Sequence, residues 1–129
     1  MLFRSFLKRE IAWKYVHKAD VCVSPFYPTP ILNSTSPTKL VEYMAMGKPV
    51  VANDHPEQSN IITESKCGLC VPYEESAFAQ AIVDLLSDPK MAHQMGLNGR
   101  SYIEKFRTYS TIADHVERQL IKLLESQVN

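Results

Sequence analysis

The sequence predicts one parallel α/β domain with helices on both faces of the sheet and a helical C-terminal third. Three observations carry this expectation. Val21-Cys22-Val23, Pro49-Val50-Val51-Ala52 and Leu69-Cys70-Val71 are short apolar runs of the kind that form buried strands. Between them lie segments with apolar residues at helical spacing, and strands that alternate with helices pair in parallel. Beyond Val71 only helical patterns follow. The chain has 129 residues, 45% of them hydrophobic and 22% charged. That supports one packed core in a single domain spanning residues 1–129.

The elements follow in order. Leu2 to Leu7 is a candidate first strand. Glu10 to Lys18 carries Ile11, Ala12, Tyr15 and Val16 at helical spacing. The strand at 21–23 ends at Ser24-Pro25, and Phe26 to Thr35, with Pro28, Pro30, Asn33 and Ser34, reads as loop. Ser36-Pro37 is a helix start, with Ser36 as the cap and Pro37 in the first turn, a cap being worth about 1 kcal/mol. This helix, with Leu40, Val41, Met44 and Ala45 as its apolar stripe, should stop at Gly47. After the strand at 49–52, Asn53 to Pro56 is a turn and Glu57 to Lys66 a helix closed by Gly68. Ser76 to Leu86 places Phe78, Ala79, Ile82, Val83 and Leu86 on one side. Asp88-Pro89 opens a helix running to about Phe106 with a bend at Gly96 or Gly99. In the last helix, Ser110 to Glu125, the residues Ile112, Val116, Leu120, Leu123 and Leu124 are expected to face inward.

Composition excludes several function classes. Fourteen basic and fourteen acidic residues cancel, so no net field steers the chain to nucleic acid. No apolar run approaches the roughly 20 residues that span a bilayer. The first ten residues mix Arg4, Lys8 and Arg9 among their apolar ones and do not form a secretory signal. With three cysteines and no such signal, the expected setting is the cytoplasm with reduced thiols. The four glycines, Gly47, Gly68, Gly96 and Gly99, form neither a P-loop nor a GxGxxG turn.

Ligands of parallel α/β sheets sit beyond the carboxyl ends of the strands. Two loops leave such ends, Ser24 to Ser36 and Asn53 to Glu57. The first runs into the start of the Pro37 helix, where backbone N–H groups and partial positive charge suit a phosphate. Lys39 in the first turn opposes the helix dipole by a few tenths of a kcal/mol, which fits a site that receives an anion. Glu42, four residues from Thr38 and three from Lys39, shares their side of the helix. A carboxylate there can accept hydrogen bonds from the two vicinal hydroxyls of a ribose. The competing reading is a solvated Glu42 paired with Lys39.

The segment Ser36 to Ala52, SPTKLVEYMAMGKPVVA, resembles the donor-site segment of retaining GT-B glycosyltransferases, the group 1 or family 4-like enzymes. The resemblance continues through Ala19-Asp20-Val21, Ser24-Pro25, Asp54-His55-Pro56-Glu57, Cys67 to Pro72 and Asn98-Gly99-Arg100, covering about Leu2 to Leu124. It implies a partial Rossmann-like sheet, the C-terminal domain of a GT-B enzyme. It implies that Glu42 holds the nucleotide ribose and that Ser36, Pro37, Thr38 and Lys39 lie along the diphosphate of a nucleotide-diphospho-sugar. No cofactor and no metal is implied, and catalytic residues are not assigned. The family pattern pairs two glutamates with seven residues between them, and the first would fall at Ser34, which is no carboxylate. Relatives with a Ser-Pro-x-Lys-Leu start share that departure.

The resemblance also implies that an acceptor domain and two preceding strands, with the Arg and Lys that neutralise the leaving diphosphate, lie outside this chain. Such charge stabilisation is worth several kcal/mol of barrier, so transfer by this chain alone is not expected. The reading is the donor-binding part of an enzyme that passes a sugar to a glycan or lipid-linked acceptor. The alternative is a non-catalytic module that binds a nucleotide-sugar or a partner protein. A separate chain supplying the upstream domains, and self-association through the open edge of the strand at 21–23, are the expected partners. A phosphoacceptor receiver domain would use Asp54, but it needs an acidic pair after its first strand, where Lys8-Arg9 stands.

Weaker signals remain. Cys67-Gly68-Leu69-Cys70 is a C-x-x-C that enters a strand rather than opening a helix, so it reads as core packing and not as redox or zinc chemistry. His55 stands at a strand end beside Asp54 and reads first as a turn residue, second as a ligand contact. His17, His93 and His115 read as partly exposed helix residues. Lys8, Arg9, Trp13, Lys14 and Lys18 form a basic segment that reads as an ordinary amphipathic helix, with peripheral contact to the inner membrane face as the alternative.

Overall fold

The computed structural model describes residues 6–127. The expected strand at 2–7 lies mostly outside them, and Phe6 and Leu7 are not in a strand. Helix α1 (Arg9–Lys18) leads into strand β1 (Cys22–Ser24), and the loop after it holds a one-turn helix α2 (Pro30–Asn33). Helix α3 (Thr38–Ala45), strand β2 (Val50–Asn53), helix α4 (Pro56–Ser65) and strand β3 (Gly68–Val71) follow. Three helices close the chain, α5 (Glu75–Ser87), α6 (Pro89–Phe106) and α7 (Tyr109–Gln127).

The strands form one parallel sheet in the order β1-β2-β3, with Cys22 beside Val50 and Asn53 beside Val71. The central strand β2 is buried along its whole length, and its alternation divides the core between two faces. Val50 and Ala52 point to one side, where Leu40, Met44, Ile61, Ile62 and Ile103 from α3, α4 and α6 meet them together with Cys22 of β1 and Cys67 just before β3. Val51 points to the other, against Ala81 and Leu85 of α5 and Ala92 of α6, with Val21, Leu69 and Phe78 at the margin. Helices therefore cover both faces, as the sequence predicts. β1 is a sheet edge among the described residues, and Val23 on it is 41% exposed.

Several local expectations change. The loop at 26–35 is not wholly irregular: Thr29 caps the short α2, its hydroxyl accepting from the amide of Leu32 at 3.2 Å, with Pro30 in the first turn. Ser36 does not cap α3. Pro37 stands at that position with φ −80° and ψ 75°, and α3 begins at Thr38. Helix α4 is closed by Lys66 in the left-handed region at φ 57°, one residue before Cys67, rather than by Gly68. Gly47, at φ +69°, ends α3 as expected, because that backbone is strained for a residue with a Cβ. In α5 the buried stripe is Phe78, Ala81, Ile82 and Leu85, while Val83 and Leu86 are exposed. The apolar row was read one step around the helix from where the sheet takes it.

The largest correction is α7. Ile112, Val116, Leu120, Leu123 and Leu124 do not face a core; each is between 43% and 65% exposed. α7 contacts α6, Ile112 borders a cleft with Phe106 and Arg107, and the rest of its apolar stripe stays exposed. Helix α6 instead packs closely through Ala92, Gly96, Gly99 and Ile103, all buried. Among the described residues, no helix is long and apolar enough to cross a membrane.

Candidate functional site at the carboxyl end of the sheet

Helices α1 and α3 each precede a strand of the parallel sheet, so both start at its carboxyl end, where the loops after β1 and β2 also lie. The loop after β1 is held there by a buried polar clamp. Ser24 Oγ donates to Gln58 Oε1 at 2.5 Å, and both residues are fully buried. Asn53, the last residue of β2, reaches across to Phe26: its Oδ1 accepts from the Phe26 amide at 2.7 Å and its Nδ2 donates to the Phe26 carbonyl at 3.0 Å. Gln58 Nε2 donates to the Asn53 carbonyl at 3.3 Å.

His55 completes the clamp. Its ring is fully buried, tilted against Phe26 with centroids 4.8 Å apart. Nδ1 accepts from the Gln58 amide at 3.4 Å, which caps α4, and Nε2 donates to the Leu32 carbonyl at 2.9 Å. One edge of the ring thus caps the start of α4 and the other ties down α2. His55 therefore holds the loop in place with a side chain that is fully buried. Sequence reasoning missed Ser24, Asn53, Gln58 and this role of His55. One signal was available: Pro56 in the first turn of a helix makes residue 55 the cap.

The five expected donor-site residues lie together at the start of α3. Pro37 is buried and fixes the corner; Ser36, Thr38, Lys39 and Glu42 are exposed around it. The Thr38 amide donates to the Ser36 carbonyl at 3.0 Å and the Val41 amide to the Pro37 carbonyl at 3.3 Å. The amides of Lys39 and Leu40 between them have no backbone partner among the described residues. Glu42 is one turn further along. Its ion-pair partner is not Lys39, as one reading had it, but Arg9 from the first turn of α1, with Nη2 3.6 Å from Oε1. The Arg9 guanidinium also lies over the indole of Trp13, 4.5 Å from the ring centroid.

Helix α1 buries no residue of its own, and only Val16 and the following Ala19 pack on the core. Lys48 holds its far end, Nζ donating to the carbonyls of His17 at 2.6 Å and Ala19 at 3.0 Å. These are end carbonyls of a helix, where a cation is favoured. Lys48, from the Gly-Lys-Pro run, therefore sets the height of α1 against α3 and keeps Arg9 level with Glu42.

Two concavities flank the sheet. A cleft of about 460 Å³ lies at the carboxyl end beside the β1 edge, lined by Val23, Pro25, Tyr73, Glu74, Glu75 and Phe78. Another of about 290 Å³, bordered by Asp20, Lys48, Pro49, Leu85, Pro89 and His93, opens at the amino end, far from α3's first turn.

The remaining candidates separate. Cys67 is buried and Cys70 exposed, and all three cysteines are free. Burial pushes the Cys22 thiol up to about 11 against the opposing pull of Lys48, and burial raises Cys67 too. Neither buried thiol is an activated nucleophile. His17, His93 and His115 are exposed on α1, α6 and α7. Among the described residues no cluster of His, Cys, Asp and Glu could hold a metal.

Comparison with known proteins follows the same line. The model of the family described as glycosyl transferases group 1 matches residues 2–88. Among solved structures, the chain is similar to sucrose-phosphate synthase from Thermosynechococcus elongatus, at 27% identity and a TM-score of 0.75. The match covers 97% of this chain and 30% of that one, so the chain spans under a third of its relative's length. A search of curated proteins gave no match.

Proposed function

Because the chain belongs to the group 1 glycosyl transferases and has their GT-B type Rossmann-like architecture, we propose that it is the nucleotide-sugar-binding half of such an enzyme. The diphosphate of a nucleotide-diphospho-sugar lies on the first turn of α3, against the Lys39 and Leu40 amides and the Lys39 ammonium. Glu42 accepts hydrogen bonds from the two ribose hydroxyls, one turn along the same helix. Ser36, Pro37 and Thr38 shape the approach to that turn. No metal is needed in this arrangement, since amides and lysine meet the anion.

The observation that carries this reading is the pairing of two unpartnered first-turn amides with an exposed carboxylate one turn away, at the carboxyl end of a parallel sheet. The buried clamp of Ser24, Asn53, His55 and Gln58 supports it, because it fixes the loop that enters that turn. The solved relative is named for making sucrose phosphate, and the corresponding chemistry here is transfer of a sugar from the nucleotide to a glycan or lipid-linked acceptor. The acceptor site and the groups that neutralise the departing diphosphate come from protein beyond these elements, either the same polypeptide or a separate chain. Work of this kind belongs in the cytoplasm, where nucleotide-sugars are the donors.

Calorimetry with nucleoside diphosphates tests the site. Binding by the 129-residue chain is expected to be weak, roughly 4 to 6 kcal/mol, corresponding to high micromolar to millimolar dissociation constants. Glu42→Ala should remove about 1–3 kcal/mol, the worth of hydrogen bonds to a charged group. Equal affinities for Glu42→Ala and the parent chain remove Glu42 from the site.

A further inference from the structure

Spacing in the sequence puts Ile11, Ala12, Tyr15 and Val16 on one apolar stripe of α1, and the structure divides that stripe. Val16 packs on the core, while Ile11 is 42% exposed and Tyr15 49% exposed. The helix has two sides. Arg9, Trp13 and Val16, at steps of four and three residues, are turned to the domain: Arg9 lies over Trp13 and meets Glu42, and Val16 meets the core. Lys8 at the N-cap, then Ile11, Tyr15 and Lys18, take the same steps along the opposite side, with Lys14 beside Ile11 and Lys18. All five are exposed, and α1 buries none of its residues.

Charge is gathered on that outward side. Fourteen basic and fourteen acidic residues cancel over the chain, but four of the basic ones and a single acid, Glu10, fall within residues 8–18. The rest of the chain therefore carries three more acids than bases. Of the four, Arg9 is paired with Glu42, whereas Lys8, Lys14 and Lys18 have no ion pair among the described residues. The result is a cationic strip with an apolar centre. A face that only solvates its helix has no use for the apolar centre, and a face meant for the core does not carry three lysines.

Together the two chemistries identify the occupant. Ammonium groups at several points match an array of anions. An isoleucine beside a tyrosine matches a boundary that is apolar on one side and wet on the other. The phosphates of a nucleic acid supply only the array. The interface of a bilayer with anionic lipids supplies both, since lysine stems lie along its apolar layer while their charges reach the headgroups. We propose that the outward side of α1 is a docking surface for an anionic lipid bilayer, with Lys8, Lys14 and Lys18 on headgroup phosphates and Ile11 and Tyr15 between them in the interface. The strip is only about 15 Å long, so the contact is reversible and sensitive to salt. Glu42 meets the other side of α1 and stays clear of the lipid. None of the donor-site residues takes part, so the proposal stands whether or not they hold a nucleotide.

Co-sedimentation of the full 129-residue chain with vesicles tests this. The chain should bind vesicles of equal parts phosphatidylglycerol and phosphatidylcholine in about 0.1 M salt, and release them in about 1 M salt, where charges are screened within a few ångströms. Vesicles of phosphatidylcholine alone should not retain it. A lysine near an anionic surface is worth roughly fivefold in affinity, so the combined Lys8→Gln, Lys14→Gln, Lys18→Gln variant should lose on the order of a hundredfold. Ile11→Ser, with all its charges kept, should also bind the anionic vesicles more weakly. The combined Lys90→Gln, Lys105→Gln, Lys122→Gln variant, which removes the same charge from exposed sites on α6 and α7, should bind like the parent chain. Circular dichroism of each variant establishes that it is folded. Failure to bind anionic vesicles, equal binding to both kinds, or an equal loss in the two triple variants overturns the proposal. Tighter binding to polyuridylate than to the anionic vesicles, unchanged by Ile11→Ser, makes the strip a nucleic-acid surface and overturns it too.

Discussion

Gly96 of α6 faces the carbonyl of Gly47 so closely that a Cβ on Gly96 would lie 2.1 Å from that oxygen. Three residues on, a Cβ on Gly99 would lie 2.9 Å from the Cβ of Cys67 and 3.3 Å from Cγ of Met44. The long helix can therefore lie against the α3–β2 turn only because it carries glycines there, and this contact holds the far end of α3. Gly96→Ala should destabilise the fold by about 1–3 kcal/mol or more, since the atom it meets is backbone and cannot rotate away. Urea unfolding followed by circular dichroism checks this, with a lower midpoint and an unchanged slope as the expected result. A midpoint equal to that of the parent chain rules out the close approach.

The His55 clamp should be costly to break. His55→Ala removes the α4 cap and the Nε2 donor that ties the Leu32 carbonyl to β2's end, a carbonyl that Thr35 still serves, for an expected loss of about 1–2 kcal/mol. Gln58→Leu should cost a similar amount, because the buried Ser24 hydroxyl then has no acceptor. Limited proteolysis should also show faster cleavage within 26–35 in His55→Ala. Parent-like cleavage there means that the loop is held by something else.

Thiol titration separates the cysteines. At neutral pH a disulfide reagent should modify Cys70 quickly and reach Cys22 and Cys67 only when the protein unfolds. Burial raises the folded Cys22 pKa to about 11 from 9.0. The unfolded chain therefore releases this proton at lower pH than the folded one. The resulting contribution is fully present below about pH 9 and is lost as pH rises toward 11. Stability measured across that window should fall, and Cys22→Ala should flatten the fall. An identical pH profile for Cys22→Ala excludes the thiol as its source.

Helix α7 gives a contrast with the core. Leu120 is 56% exposed and Leu40 is fully buried. Leu120→Gln should shift the unfolding free energy by no more than about 0.5 kcal/mol, whereas Leu40→Ala should cost about 2–5 kcal/mol. A core-sized loss for Leu120→Gln means that the α7 stripe is covered in solution.

The 129 residues alone should bind donor without transferring sugar. Incubation with nucleotide-sugars and a range of acceptors should yield no glycoside above background. Turnover in the ordinary enzyme range of about 1–10³ per second contradicts the assignment of this chain to the donor half only.

The parallel α/β class, three strands and most helices were legible because strands of three or four apolar residues and amphipathic helices carry their own periodicity. The candidate site on α3 was legible for a local reason: Thr38, Lys39 and Glu42 share a side by spacing alone. The residues that hold that helix in place were not. Ser24, Asn53, His55 and Gln58 are polar residues in turns or on a helix, and sequence gives no sign that all four are buried within one hydrogen-bond network. Arg9 likewise reads as one more basic residue on an amphipathic helix until α1 and α3 are set side by side.

What the sequence determined by itself is whatever depends on near neighbours along the chain: the strands, the helix start at Asp88-Pro89, the stop at Gly47, and the order that makes the sheet parallel. What only the tertiary structure decided is which apolar stripe meets a surface. The stripes of α3 and α7 are both periodic in the sequence, yet Leu40 is fully buried while Leu120 is 56% exposed. Periodicity states that a helix has an apolar side; burial requires a second surface at the right distance, and that surface comes from residues remote in the chain.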